Sequence, residues 1–245
     1  MTKGPVLILG ATSDIGQATA HAFANKGHPI QLAARNSARL AAHQTDLQVR
    51  YIVPVSLHEC DALATETHAA FIDGLSELPD IAVSAVGVLG NQAASETDFA
   101  AAIVVIRSNF EGPASLLSEL AKRFETRGSG TLVGISSVAG IRGRASNFIY
   151  GSGKAGFSAF LSGLRNRLAN KGVHVVTVLP GFVNTQMTAN LNLSTKLTAE
   201  PKEVADAIVN AVDKRKNVIY IRPIWRIIML IIGFIPEPIF KRLNI

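Results

Sequence analysis

The sequence predicts an α/β fold: one doubly wound domain on a seven-stranded parallel sheet, with a short apolar extension at its C-terminal end. Three observations predict it. Short apolar runs bounded by turn residues alternate with helix-length segments along nearly the whole chain. A glycine-containing turn joins the first such run to the first helical segment. No linker composition, internal repeat or low-complexity tract interrupts the alternation across 245 residues. Residues 1–222 therefore make the domain and residues 223–245 the extension.

Val6–Leu9 is a short apolar run of the kind buried on both faces of a parallel sheet. It enters the glycine turn and then a helix from Ile15 to Lys26, which Gly27 closes as a C-terminal cap. Ile30–Ala34 is the second strand and Ser37–Leu47 the next helix. Val53–Glu59 is the third strand, with Pro54 weakening its start. Ile81–Val86 is the fourth and leads into a loop rich in Gly, Asn and Ser. A long helix is expected over Thr97–Arg123, with Pro113 as the place for a kink. Thr131–Ile135 is the fifth strand, Tyr150–Asn170 a long helix, and Val173–Leu179 the sixth strand. Pro201–Lys214 is a helix entered at its proline, and Val218–Ile221 is the seventh strand. Right-handed crossovers then put any ligand at the carboxyl ends of the strands.

Composition narrows the function classes. The chain is 48% hydrophobic and 17% charged, below the roughly 25% charged of an average soluble domain. That leaves apolar material for a core and for a further buried face. The net charge is +6, but Lys and Arg are scattered, with no zinc-finger spacing and no aromatic–basic alternation. No nucleic-acid partner is expected; an anionic ligand or an anionic membrane surface suits the charge equally well. Cys60 is the single cysteine, so no intrachain disulfide can form. The six histidines show no metal-like spacing, and no metal is expected. Pro5–Leu9 enters a strand directly, without a cleavage site behind an apolar stretch, and the expectation is a cytoplasmic setting.

Between the first strand and first helix stands Gly10-Ala11-Thr12-Ser13-Asp14-Ile15-Gly16. Gly10 permits a sharp turn and Gly16 close packing of the helix on the sheet. The helix N-terminus offers free N–H groups to a pyrophosphate, so Gly10, Thr12, Ser13, Asp14, Ile15 and Gly16 are candidate dinucleotide contacts. Arg35 follows the second strand, where such folds inspect the adenosine ribose. An arginine there favours a 2′-phosphate, so NADP(H) is preferred and NAD(H) remains open; a solvated helix-start residue is the plainer alternative. Asp61, beside Ala62, is placed to accept from an adenine amino group or simply to cap the next helix.

Tyr150 and Lys154 lie at i and i+4 on one helical face. A phenol of pKa near 10 is a poor acid at neutral pH, and an ammonium one turn away favours phenolate. Such a pair can move a proton to or from a carbonyl oxygen. Taken alone, the spacing is also that of ordinary surface neighbours. Ser137, in Ile135-Ser136-Ser137-Val138-Ala139-Gly140, sits just past the fifth strand. With Tyr150 and Lys154 it resembles the short-chain dehydrogenase/reductase family, a Rossmann-type fold, from Gly10 to the seventh strand. The resemblance implies that Ser137 polarises the substrate carbonyl and Tyr150 is the general acid/base. It implies that Lys154 lowers the tyrosine pKa and holds the nicotinamide ribose. Asn109, in Ser108-Asn109-Phe110-Glu111-Gly112, corresponds to the family's helix asparagine supporting a proton-relay water. Ser136 competes for the serine role, but its spacing from Tyr150 is less suitable. Pro180-Gly181-Phe182-Val183-Asn184-Thr185 is similar to the family's loop after strand six. There Pro180, Gly181, Val183 and Thr185 are expected at the nicotinamide.

Two positions depart from the family pattern. Asp14 stands where the middle glycine belongs, and its charge near a phosphate should weaken binding. Ser84-Ala85-Val86-Gly87 replaces Asn-Asn-Ala-Gly after strand four, so a side-chain amide is missing while Gly87 keeps its place at the cofactor. In the extension, Ile227–Ile235 is too short to span a bilayer, which needs about 20 residues. Arg222 and Arg226 before it, with Lys241 and Arg242 after it, fit an interfacial segment at the inner face of a membrane through residues 223–242. Packing in a subunit interface or over the pocket is the other reading. This tail, the Gly10 turn and Ala85-Val86-Gly87-Val88-Leu89-Gly90 resemble the decaprenylphosphoryl-2-keto-ribose reductases, which implies a lipid-linked carbonyl substrate. The family likeness implies a homodimer or homotetramer. A non-catalytic NAD(P)-binding regulator or scaffold is the alternative to a reductase.

Overall fold

The computed structural model describes residues 3–189, 191, 192 and 194–243. Met1, Thr2, Asn190, Leu193, Asn244 and Ile245, which fall within the expected domain, pocket loop and extension, lie outside the described residues.

The chain runs β1 (Val6–Leu9), α1 (Asp14–Ala24), β2 (Ile30–Ala34), α2 (Ala41–Tyr51), β3 (Val55–Glu59), α3 (His68–Asp73) and β4 (Ile81–Ser84). It continues through α4 (Gln92–Thr97), α5 (Phe99–Ile106), α6 (Gly112–Arg127), β5 (Gly130–Ile135), α7 (Phe148–Leu168) and β6 (Val173–Leu179). After β6 come β7 (Phe182–Val183), β8 (Thr198–Ala199), α8 (Pro201–Asp213), β9 (Val218–Tyr220), α9 (Ile224–Phe234) and α10 (Glu237–Phe240). Seven strands form one parallel sheet in the order β3-β2-β1-β4-β5-β6-β9, and β7 pairs with β8 in a small second sheet.

Alternation along each strand fills both faces of the sheet. Val6 and Ile8 point to a core shared with Phe23 of α1, Leu47 of α2 and Ile208 of α8. Leu7 and Leu9 point to the opposite core, with Leu117 and Phe124 of α6 and Phe157 and Leu161 of α7. Strands wetted on neither side explain the near-continuous apolar runs of the sequence. From β3 at one edge the chain crosses to β4 on the far side of β1. This reversal opens a crevice at the carboxyl ends of β1 and β4, which positions the site.

Several elements differ from the sequence expectation. The helix expected over Thr97–Arg123 is interrupted by a π turn at Arg107–Glu111, between α5 and α6. Pro113 lies in the first turn of α6, directly after that π turn, so the irregularity falls next to the proline. The Asn91 and Asp98 side chains cap α4 and α5, accepting from the amides of Ala94 and Ala100. The helix expected over Ser37–Leu47 opens as a 3-10 turn, Ser37–Leu40, before α2. The tail stretch is a helix, α9, packed on the domain through Trp225 and Met229.

Candidate active site

At the end of β1 the chain turns through Gly10, whose φ of +78° is left-handed and whose missing Cβ would meet the Ala85 backbone at 2.9 Å. The ends of β1 and β4 approach that closely only because the residue is glycine. Ser13 caps α1, accepting from Gly16 N at 3.1 Å and donating to Gly10 O at 2.8 Å. The amides of Asp14 and Ile15 lie in the first turn of α1, with no intrahelical acceptor, and the dipole there favours an anion. Gly16 lines neither cavity of this crevice. Its place is under the turn, where a Cβ would press on Gly10 O at 2.7 Å, so it packs rather than contacts.

Asp14 does not simply face the phosphate position. Its Oδ2 accepts from the Gln186 amide at 2.9 Å, tying the first turn of α1 to the loop after β7. Arg35 follows β2, and Arg39 stands on the 3-10 turn beside it. Both are exposed, both line the wider cavity, and neither forms an ion pair among the described residues. Glu59, at the end of β3, accepts from the amides of Asn36 (2.7 Å) and Ser37 (2.8 Å). Those bonds hold this turn and keep the Glu59 carboxyl below its ordinary range. Asp61 Oδ1 accepts from Leu63 N at 2.9 Å, as a local cap, while Asp61 and Ala62 line the same cavity.

A second, narrower cavity of about 120 Å³ lies past α1 and is lined by Asn109, Ser137, Tyr150, Lys154, Pro180 and Gly181, together with Val183 and Thr185. The two cavities share Ser13, Ala85, Val86 and Gly87 and so form one elongated cleft along the carboxyl edge of the sheet. Gly87 is the bridge: a Cβ there would lie 2.7 Å from Asn109 Oδ1 and 3.2 Å from Lys154 Nζ.

The hydroxyls sort themselves. Ser136 Oγ is buried and bonded to Lys154 O (2.9 Å) and Ser158 Oγ (2.7 Å), so it braces α7 against β5. Ser137 Oγ accepts from Ala139 N at 3.1 Å and interacts with the Tyr150 side chain in the cavity wall. Lys154 is 4% exposed, its Nζ donates to Ile135 O at 2.9 Å, and burial lowers its pKa to about 7. The expected lowering of the tyrosine pKa by Lys154 is not what the structure shows. Burial pushes Tyr150 up, and the Ser137 hydrogen bond opposes it only in part. Lys154 Nζ lies 5.9 Å from the tyrosine ring centre, and its own desolvation disfavours the ammonium form.

Asn109 sits in the π turn, a geometry that recurs at functional sites because the extra residue re-aims side chains. Its amide nitrogen donates to Val88 O (2.6 Å) and Val105 O (2.8 Å), and its Oδ1 is buried with no partner among the described residues. A buried acceptor facing a cavity is a place for water or ligand. Ser84 Oγ, at the position of the missing amide, is likewise buried and unpartnered. Sequence reasoning missed Arg39, Met187 and Thr188 as lining residues. Arg39 was findable as a second cation four residues after Arg35; the other two lie in a loop without a periodic signal.

The cleft fits a dinucleotide on three counts. Without a Cβ, Gly10 lets the ends of β1 and β4 meet at the base of the cleft, and Gly87 leaves Asn109 Oδ1 and Lys154 Nζ uncovered. Two unpaired cations stand at the wide end, and the orphaned Asn109 oxygen lies at the narrow one.

Comparison with known proteins agrees with this geometry. The family model for short chain dehydrogenase matches residues 5–196. An uncharacterized oxidoreductase of Mycobacterium tuberculosis is 37% identical over 242 residues, covering 98% of this chain and 96% of that protein. A Streptomyces coelicolor oxidoreductase is 34% identical, with 97% and 95% covered. Among solved structures, a short-chain dehydrogenase from Sphingobium yanoikuyae in complex with NADPH superposes with a TM-score of 0.81 at 25% identity, covering 96% of this chain and 97% of that one.

Proposed function

The chain belongs to the short-chain dehydrogenase/reductase family of oxidoreductases, and on that footing we propose that it is an NADP(H)-dependent enzyme interconverting a ketone and a secondary alcohol. The observation that carries the reading is the convergence of Asn109, Ser137, Tyr150 and Lys154 on one cavity, continuous with the dinucleotide cradle. The nicotinamide, when bound, supplies or accepts the hydride. The amides of the first turn of α1 hold the pyrophosphate, with Thr12 and Ser13 beside them. Arg35 and Arg39 receive a 2′-phosphate, the Asp61 carboxylate and Ala62 flank the adenine, and Val183 and Thr185 orient the carboxamide.

The remaining work belongs to protons. Ser137 donates to the carbonyl oxygen and fixes it beside Tyr150. The Tyr150 hydroxyl gives that oxygen its proton, or takes it in the reverse direction. Lys154, with a pKa near neutrality, restores the tyrosine proton and donates to the nicotinamide ribose. The unfilled Asn109 Oδ1 holds the water through which Lys154 exchanges protons with solvent.

The substrate reading is an apolar or lipid-linked ketone. Ile15, Val86, Ile135 and Met187 line the narrower cavity, and the apolar α9 packs directly behind Gly181 and Phe182. Exposed Phe99, Ile103 and Val104 on α5 support assembly as a homodimer or homotetramer. The test is a ketone panel, including a polyprenyl-linked keto-sugar, assayed with NADPH and NADH. Turnover with at least one apolar ketone is expected, faster with NADPH, and Arg35→Ala should narrow that preference by about tenfold. Cofactor binding without turnover on any member would favour the scaffold reading. An Arg35→Ala variant losing both cofactors equally would remove the 2′-phosphate role.

A further inference from the structure

Apart from Arg226 and Gly233, every residue of the helix α9 is apolar, yet half of it faces outward. Trp225 and Met229 take the inner face, with Leu179, Phe182 and Leu197, and the indole donates to Leu197 O at 3.1 Å. On the opposite face Ile227, Leu230, Ile231 and Phe234 are 56%, 60%, 61% and 79% exposed, and Ile239 of α10 adds 55%. Arg142 fixes this face in place. Its guanidinium donates to Ile232 O and Ile235 O (both 2.6 Å), pairs with Glu237 at 2.9 Å and stacks 3.6 Å from the Phe240 ring centre. The outward face is thus held rigidly, not left to collapse onto the domain.

Charge selects what covers it. Arg226 lies about 100° around α9 from Trp225, at the border between the packed and outward faces. Lys241 and Arg242 follow α10. All three are exposed, and none forms an ion pair among the described residues, in a chain of net charge +6. A two-fold contact through this face with a second copy would set these cations against their own counterparts. No helix among the described residues is long and apolar enough to cross a membrane. We propose that α9 and α10 dock flat on an anionic lipid bilayer, with the outward apolar face at the headgroup–acyl boundary and Arg226, Lys241 and Arg242 among the headgroups. This goes beyond the reaction proposed above and holds whatever ketone is used.

The experiment is co-sedimentation of the full chain with vesicles of phosphatidylcholine alone and of phosphatidylcholine with one-third phosphatidylglycerol. Sedimentation velocity without lipid runs in parallel. Binding to the anionic vesicles is expected to exceed that to the neutral ones by about tenfold or more, and to weaken with salt. Leu230→Glu with Phe234→Glu should abolish binding. Arg226→Gln with Lys241→Gln and Arg242→Gln should erase the preference for anionic lipid, and both variants should keep the wild-type sedimentation coefficient. No binding of the wild type to anionic vesicles overturns the proposal. So does retained binding by the Leu230/Phe234 variant, or a change in its oligomeric state, which would assign the face to a second copy. Should that variant fail to fold, the triple glutamine variant, whose cations are bonded to nothing among the described residues, decides alone.

Discussion

At the residue scale, Lys154 bears the main electrostatic strain of the site. Its ammonium is buried against one carbonyl, with no carboxylate partner among the described residues, and its pKa falls from 10.5 to about 7. Above pH 10.5 the side chain is neutral whether the chain is folded or not. As pH falls, the unfolded chain takes up a proton that the folded one refuses until about pH 7, so the fold loses stability across that window. Urea unfolding at pH 7, 8, 9 and 10, without cofactor, should therefore show wild type gaining on Lys154→Met with rising pH. The gain is at most about 1.4 kcal/mol per pH unit. A difference that stays flat with pH would mean that the ammonium is not desolvated. The i, i+4 spacing of Tyr150 and Lys154 was legible in the sequence, but their depth was not. That is why the tyrosine was expected to be lowered and burial raises it instead. The preference for Ser137 over Ser136 came from the family resemblance and its spacing to Tyr150, and the structure accounts for Ser136 as a brace between β5 and α7.

At the scale of elements, Arg142 joins two parts of the chain that the sequence treats separately. It leaves the loop between Ser137 and Tyr150 and satisfies the last carbonyls of α9. Arg142→Ala should cost about 2 kcal/mol of stability, the worth of a charged, multiply bonded donor, and expose the extension to trypsin. Arg142→Lys should recover less than half of it, because an ammonium lacks the planar fork. Unchanged unfolding and unchanged proteolysis in the alanine variant would show that the clamp holds nothing. Strands such as Ile30–Ala34 and Val173–Leu179 were legible residue for residue, because burial on both faces leaves a run that is apolar but for Gln31 in the first and His174 and Thr177 in the second. The break at Arg107–Glu111 was not. Gly112 and Pro113 mark where it ends, but nothing within it tells a π turn from a kink, because a π turn adds one residue without changing which residue types suit a helix. The tail was legible as apolar and basic. That it folds as a helix pinned by Arg142 depends on a residue some ninety positions earlier.

At the scale of the whole molecule, the reversal of strand order at β1 and β4 makes one cleft from Arg35 to Tyr150, through Gly10 and Gly87. Its wide end is cationic and polar. Its narrow end brings Asn109, Ser137, Tyr150 and Lys154 together beside the apolar Ile15, Val86, Ile135 and Met187. Asp14, foreign to the family's glycine turn, is absorbed by a bond to Gln186 and so belongs to the closure of this cleft as much as to its cofactor end. The central claim is that this arrangement moves a proton through Tyr150 while the cradle binds the cofactor separately. Tyr150→Phe separates the two most directly, measured by ketone-dependent NADPH oxidation and by NADPH binding on the same preparation. Oxidation should fall by about 10²–10⁴-fold with NADPH affinity nearly unchanged. Turnover at the wild-type rate in that variant would contradict the account.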